Sequence, residues 1–261
     1  MKSTAQSFTQ PQSVLILGEP GTGKTTLASQ FKQPFILDCD VNIAGPVKWL
    51  KDNKRRSEFF YGNPTVNDAG TLVPREEQFG RACALLEEAA ASPDVSTIII
   101  DSLTTFSDIV LTEVLRQQKR TLGTLQVKDL KTRTLDEPMQ IQDWGGFFGL
   151  MKRTIFGLKA SGKTLVITGH IKTDKDELTK ILKQFIYCPG TMSDVIAGFF
   201  SEVWLLKRET KIVAGAKQES RFLMTFPDGS ATEALGLKSS VGLKSGEAIN
   251  LDKIIELLNQ P

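Results

Sequence analysis

The stretch Gly18-Glu19-Pro20-Gly21-Thr22-Gly23-Lys24-Thr25 decides how the rest of the chain is read. It satisfies the spacing G-x-x-x-x-G-K-[ST] in full, and Thr26 follows it. Glycines carry no Cβ, so backbone N–H groups can turn inward and approach phosphate oxygens closely. Lys24 stands where a lysine reaches β- and γ-phosphates, and Thr25 where a hydroxyl holds Mg²⁺. The apolar run Val14–Leu17 reads as a buried strand and Thr25–Phe31 as a helix. The order is therefore strand, loop, helix, as phosphate binding requires. A glycine-rich turn that binds nothing would not demand that order. A dinucleotide fingerprint does not fit, because the loop has no G-x-G-x-x-G spacing. ATP with Mg²⁺ is the expected cofactor pair, and Gly18 through Thr26 the expected cradle.

Outward from the loop, apolar strands alternate with helical patterns. Strands are expected at 34–38, 58–62, 96–101 and 163–170, and helices at 75–92, 106–120 and 143–161. Short runs at 201–209, 210–215 and 221–226 read as hairpin strands, and 250–260 as a closing helix. Such alternation predicts an α/β fold: a mostly parallel sheet with helices on both faces, here with an antiparallel C-terminal extension. The expected organisation is a polar arm at 1–12, a core at 13–230 and a C-terminal segment at 231–261 that packs on it.

A net charge of +2 is too small to argue for nucleic acid or membrane by itself. Cys39, Cys83 and Cys188 are far apart and odd in number, so no disulfide framework or metal spacing is visible. The polar N-terminus does not read as a signal peptide, and no apolar run approaches a membrane span. A cytoplasmic protein is the expectation.

The segment "TIIIDS" ends a buried strand on Asp101, facing the ligand crevice of an open α/β sheet. Asp101 is expected to hold Mg²⁺ through water. A plain helix cap is the competing role. The next residue is Ser102, where many protein-remodelling ATPases carry a glutamate that activates water. "IIIDSLTTF" instead resembles the RecA-like family of P-loop NTPases. The compact length, "DCD" and "GH" are most similar to phage-encoded RecA-like single-strand annealing or recombination ATPases.

That resemblance implies further roles. The strand after the phosphate loop should supply the carboxylate that activates water, which points to Asp40 in "ILDCD", with Asp38 as a competitor. The family more often has glutamate, and Asp40 is shorter by one methylene, about 1.5 Å. The strand "TLVITGH" should end in a polar sensor of the γ-phosphate, which points to His170. DNA-binding loops should follow the helix after the metal-binding strand, at 116–133, and the sensor strand, at 171–190. The first is basic, with Arg116, Lys119, Arg120, Lys128, Lys131 and Arg133 against one acid, Asp129. Such an excess would neutralise phosphates and make binding salt-dependent. The second carries Lys172, Lys175, Lys180 and Lys183 against three acids, with Phe185 and Tyr187 able to stack on bases. For this region a solvated surface is an equal reading.

A ring or filament would also need a cation that reaches a neighbour's nucleotide. Lys211 is the first choice, ahead of Arg208 and Lys217. Trp144 reads as a packing residue, and the glycine pair beside it as a close approach or a hinge. Phe8 lacks the F-x-x-A spacing of a docking arm. The expected partners are single-stranded DNA, further copies of the chain and a single-strand-binding protein. A P-loop ATPase acting on a protein, such as a helicase loader, is the alternative. A small-molecule kinase ranks last, because no compact arginine-rich lid is visible.

Overall fold

The computed structural model describes residues 13–117, 121–122, 125–126, 141–175, 182–213, 216–229, 231–240, 243, 245 and 254. Its strands are β1 (Ser13–Gly18), β2 (Pro34–Asp38), β3 (Phe60–Gly62), β4 (Thr97–Asp101), β5 (Thr121–Leu122), β6 (Leu125–Gln126), β7 (Thr164–Lys175), β8 (Leu182–Ile186), β9 (Glu202–Val213) and β10 (Ala216–Met224). Its α-helices are α1 (Lys24–Ala28), α2 (Ala44–Asp52), α3 (Arg75–Ala91), α4 (Leu103–Gln117), α5 (Ile141–Ala160) and α6 (Met192–Val195).

The main sheet runs β10-β9-β1-β7-β4-β2-β3, with β8 paired to β7 off that path. Strands β9, β1, β7, β4, β2 and β3 pair in parallel. β10 and β8 add antiparallel neighbours. The expected fold class is therefore the observed one.

Period-two alternation explains why the strands are apolar throughout. Leu15, Leu17, Ile98, Ile100, Leu165 and Ile167 point into a cluster with Leu86 of α3, Phe106 of α4 and Phe147 of α5. Val14, Ile16, Ile36, Ile99 and Val166 point the other way, onto Leu27 and Ala28 of α1, Phe31 and Trp204. Both faces are covered, and each fully buried aliphatic side chain contributes about 1.5–3 kcal/mol.

The C-terminal residues join the same core. Leu235 and Leu237 lie in the first cluster, and Leu243 and Ile254 in the second. Glu202 is fully buried and accepts from Trp204 Nε1 at 2.9 Å and from the Ser240 backbone N–H at 2.7 Å. A buried carboxylate is tolerated because these donors replace water. Among the described residues no helix is long and apolar enough to cross a membrane.

Four expectations change. The runs 201–209 and 210–215 are one strand, β9, whose first half is parallel to β1 and which pairs with β10 to its end. The charged stretch at 207–209 does not end it, because there the hairpin runs past the β1 pairing and charges meet solvent. β7 continues past His170 to Lys175, paired to β8. α1 stops at Ala28 rather than Phe31. α2 was hidden in the sequence by Gly45 and Pro46, which look like breakers. They fall in its first turn, where proline's missing N–H costs nothing.

A Cβ added at Gly145, beside Trp144, would meet nothing within 4 Å, so Gly145 marks no close approach. Trp144 packs edge-on against Phe147 and covers Gly190, as a packing residue would. Phe8 and most of 250–260 lie outside the described residues.

Candidate functional site

Register builds the site. Gly18, the last residue of β1, pairs with His170 of β7 and with Leu206 of β9. Asp38 and Asp101, the last residues of β2 and β4, pair with each other. The phosphate loop, the acids and the histidine thus converge at the carboxyl ends of neighbouring strands, where open α/β sheets bind ligands.

Two glycines of the loop have physical reasons. A Cβ on Gly18 would stand 2.7 Å from the Leu206 carbonyl oxygen, which nothing but glycine allows. Gly23 caps α1 with φ 98°, a left-handed conformation that costs glycine little. Glu19 accepts from the Thr22 hydroxyl at 2.9 Å through its carbonyl, which tightens the loop.

Lys24 is 6% exposed, and its ammonium donates to the carbonyls of Gly18 and Glu19, each at 3.0 Å. Burial pulls its pKa down to about 8, although Asp101, Asp40 and Glu19 pull the other way. Its Nζ also lies 3.4 Å from His170 Nδ1. Burial, then the Lys24 charge, lower the His170 pKa, while Asp40 opposes. His170 is therefore neutral at pH 7, and Nδ1 accepts from the ammonium.

Asp101 is 4% exposed. Thr25 Oγ1 donates to its Oδ2 at 2.8 Å, and Thr168 Oγ1 donates to its Oδ1. Burial raises the Asp101 pKa, and these two hydroxyls lower it. Among the described residues no cluster of three His, Cys, Asp or Glu could hold a metal. Thr25 and Asp101 nevertheless fit Mg²⁺, which takes hard oxygen ligands, often one carboxylate with substrate phosphates and water.

The two acids of "DCD" separate. Asp38 is buried and accepts from the backbone N–H groups of Asn42 at 3.1 Å and Ile43 at 3.2 Å. It ties the β2–α2 turn. Asp40 instead lines the cleft with Lys24, Thr25, Asp101 and His170, and accepts from Thr105 Oγ1 of α4. Val41 follows it with φ 58°, a strained conformation for a β-branched residue. Ser102 is 1% exposed and does not line the cleft.

Trp49 and Asn42, from α2 and its approach, and Arg221 of β10 also line the cleft. None of them was legible in the sequence. Thr168 was within reach: it precedes His170 by two residues, so both face one side of β7.

Of the six cations expected at the first DNA loop, only Arg116 falls among the described residues. Its Nε and Nη2 donate to Glu113 at 2.7 Å each. Lys119, Arg120, Lys128, Lys131 and Arg133 lie outside them. Lys211 occupies β9 opposite Gln218, and its side chain lies outside them too.

Fold and site together define a P-loop ATPase core of the RecA-like class. A family model described as an AAA domain (AAA_24) matches residues 10–231, most of the chain. The chain belongs to that family. No curated protein matches it. Among solved structures it is similar to a KaiC-like protein from the hyperthermophilic archaeon Pyrococcus horikoshii OT3, at 13% identity and a TM-score of 0.40, over 82% of this chain and 78% of that one.

Proposed function

We propose that the chain hydrolyses ATP and acts on single-stranded DNA, in homologous recombination or strand annealing of the phage type. The observation that carries this reading is the double position of His170. Its side chain touches Lys24 in the cleft. Its strand then runs straight into a hairpin with exposed Lys172, Lys175 and Tyr187. The Tyr187 N–H donates to the His170 carbonyl at 2.8 Å, which joins the histidine to an aromatic that can stack on a base.

In this reading Lys24 and the loop N–H groups hold the phosphates. Mg²⁺, held by Thr25 and Asp101, would offset charge on the β- and γ-phosphates. Asp40 orients a water and accepts its proton as the oxygen attacks the γ-phosphorus in line. The bond to the bridging oxygen breaks, and ADP and phosphate leave. Neutral His170 senses the γ-phosphate, and its strand carries the change to the β7–β8 hairpin. Further copies of the chain and a single-strand-binding protein are the expected partners.

The second reading is action on a protein partner, such as a helicase to be loaded. ATP hydrolysis measured with and without single-stranded DNA, beside Lys24→Ala, separates the two. Stimulation by DNA that disappears in the variant is the expected result. Hydrolysis indifferent to DNA, with no DNA binding at low salt, would overturn the DNA reading and leave the protein partner.

A further inference from the structure

We propose that Arg221, with Arg208 beside it, contacts the phosphates of the nucleotide held by the same chain's Lys24. This rests on the phosphate-loop reading and names a cation that the motif does not contain.

The alternation of β9 and β10 puts both arginines on the α1 side of the sheet. Leu206 and Leu223 are paired in register and belong to the cluster around α1. Arg208 and Arg221 lie two residues further out on the same two strands, are also paired, and so share that side. There they meet the loop. A Cβ on Gly23 would stand 3.8 Å from Arg221 Nη1 and 4.0 Å from its Cζ. A Cβ on Gly21 would stand 3.8 Å from Arg208 Nη1. Arg221 lines the same cleft as Lys24, Thr25 and Asp101.

The second observation is independent of distance to the loop. Two like charges directly opposite on an antiparallel pair destabilise it. Among the described residues the ion pairs join other groups, and neither arginine has a carboxylate within reach. Lys207, one residue before, does have one, Asp228 at 2.8 Å. An anion over Gly21 and Gly23 would turn this repulsion into attraction, and the polyphosphate of a nucleotide is the anion that the loop is shaped for. Guanidinium forks suit phosphate oxygens. Since the hairpin belongs to the chain that carries the loop, the contact is made within one subunit. Lys211 lies three residues further along β9, about 10 Å beyond Arg208.

The test is ATP binding by titration calorimetry for the full chain, Arg221→Ala, Arg221→Lys, Arg208→Ala and Lys24→Ala, with exposed Arg153→Ala on α5 as a control. The expected result is about tenfold weaker ATP binding for Arg221→Ala, a smaller loss for Arg208→Ala and partial recovery in Arg221→Lys. The nucleotide-free melting temperature of Arg221→Ala should be unchanged or higher, which a merely structural arginine would not give. Mixing Arg221→Ala with Lys24→Ala should restore no hydrolysis. Unchanged ATP affinity in Arg221→Ala would overturn the proposal. So would hydrolysis regained in the mixture, since Arg221 would then serve a neighbour. ATP binding unaffected by Lys24→Ala would instead overturn the phosphate-loop reading beneath it. If Arg221→Ala does not fold, Arg221→Lys decides by the same affinity measurement.

Discussion

On one side of the cleft, Asp101 ends β4 and Asp40 lies just past the end of the neighbouring β2. Asp101 accepts hydroxyls from Thr25 and Thr168, and Asp40 one from Thr105. On the other side, Arg208 and Arg221 face each other on a hairpin that overshoots the sheet, with no carboxylate within reach among the described residues. The acidic side is satisfied by the protein itself and is preorganised before any ligand arrives. The basic side is completed by what binds there. A preorganised group chiefly serves the transition state, whereas a group awaiting its partner chiefly serves affinity.

The largest test of that contrast is Asp40→Asn. Hydrolysis should fall by about 10²–10⁴ while ATP binding holds within a few fold. An equal loss of affinity would break the comparison, because Asp40 would then be a binding group. Steady-state kinetics beside calorimetry reads both quantities.

Lys24 sits between the two sides and gives a pH test. Its pKa of about 8 lies below the 10.5 of an unfolded chain, chiefly through burial. The unfolded state then binds more protons between those values, so the nucleotide-free protein gains stability as pH rises through them. A bound polyphosphate restores the charge and removes that gain. ATP affinity should therefore be flat below pH 8 and fall about tenfold per unit above it. The ATP-induced rise in melting temperature should shrink over the same range. A constant rise from pH 7 to 9.5 would mean that Lys24 is not at the phosphates.

Asp38→Asn probes the scaffold beneath the acidic side. The amide keeps one acceptor oxygen where the carboxylate supplied two, so stability should drop by about 1–3 kcal/mol in thermal or denaturant unfolding. Part of the hydrolysis should be lost with it, because the turn holding Asp40 loosens. The smallest effect is expected from Val41→Gly. Val41 is 53% exposed at φ 58°, so glycine removes strain without opening the core. A stabilisation of about 1 kcal/mol should accompany a lower hydrolysis rate, as Asp40 loses its fixed position. Unchanged hydrolysis would show that Asp40 is held by Thr105 alone.

The acidic side was legible because its groups announce themselves locally. A motif of eight residues names Lys24 and Thr25, and an apolar strand ending in an acid names Asp101. "DCD" offered two acids, and only the turn geometry separated Asp38, bound to Asn42 and Ile43, from Asp40 in the cleft. α2 was hidden because Gly45 and Pro46 break helices everywhere but the first turn.

The sequence by itself determined the phosphate loop, the alternating α/β architecture and the strand that carries each acid. These are short-range properties: a backbone conformation needs particular residues at fixed spacing, and a buried strand needs unbroken apolar residues. Only the tertiary structure decided that β7 lies between β1 and β4, that His170 meets Gly18, and that Arg221 stands over Gly23. Arg221 is about two hundred residues from the loop in the chain, and no local propensity encodes such a meeting. Sheet order and register do, and both are settled by how the whole set of strands buries its two faces.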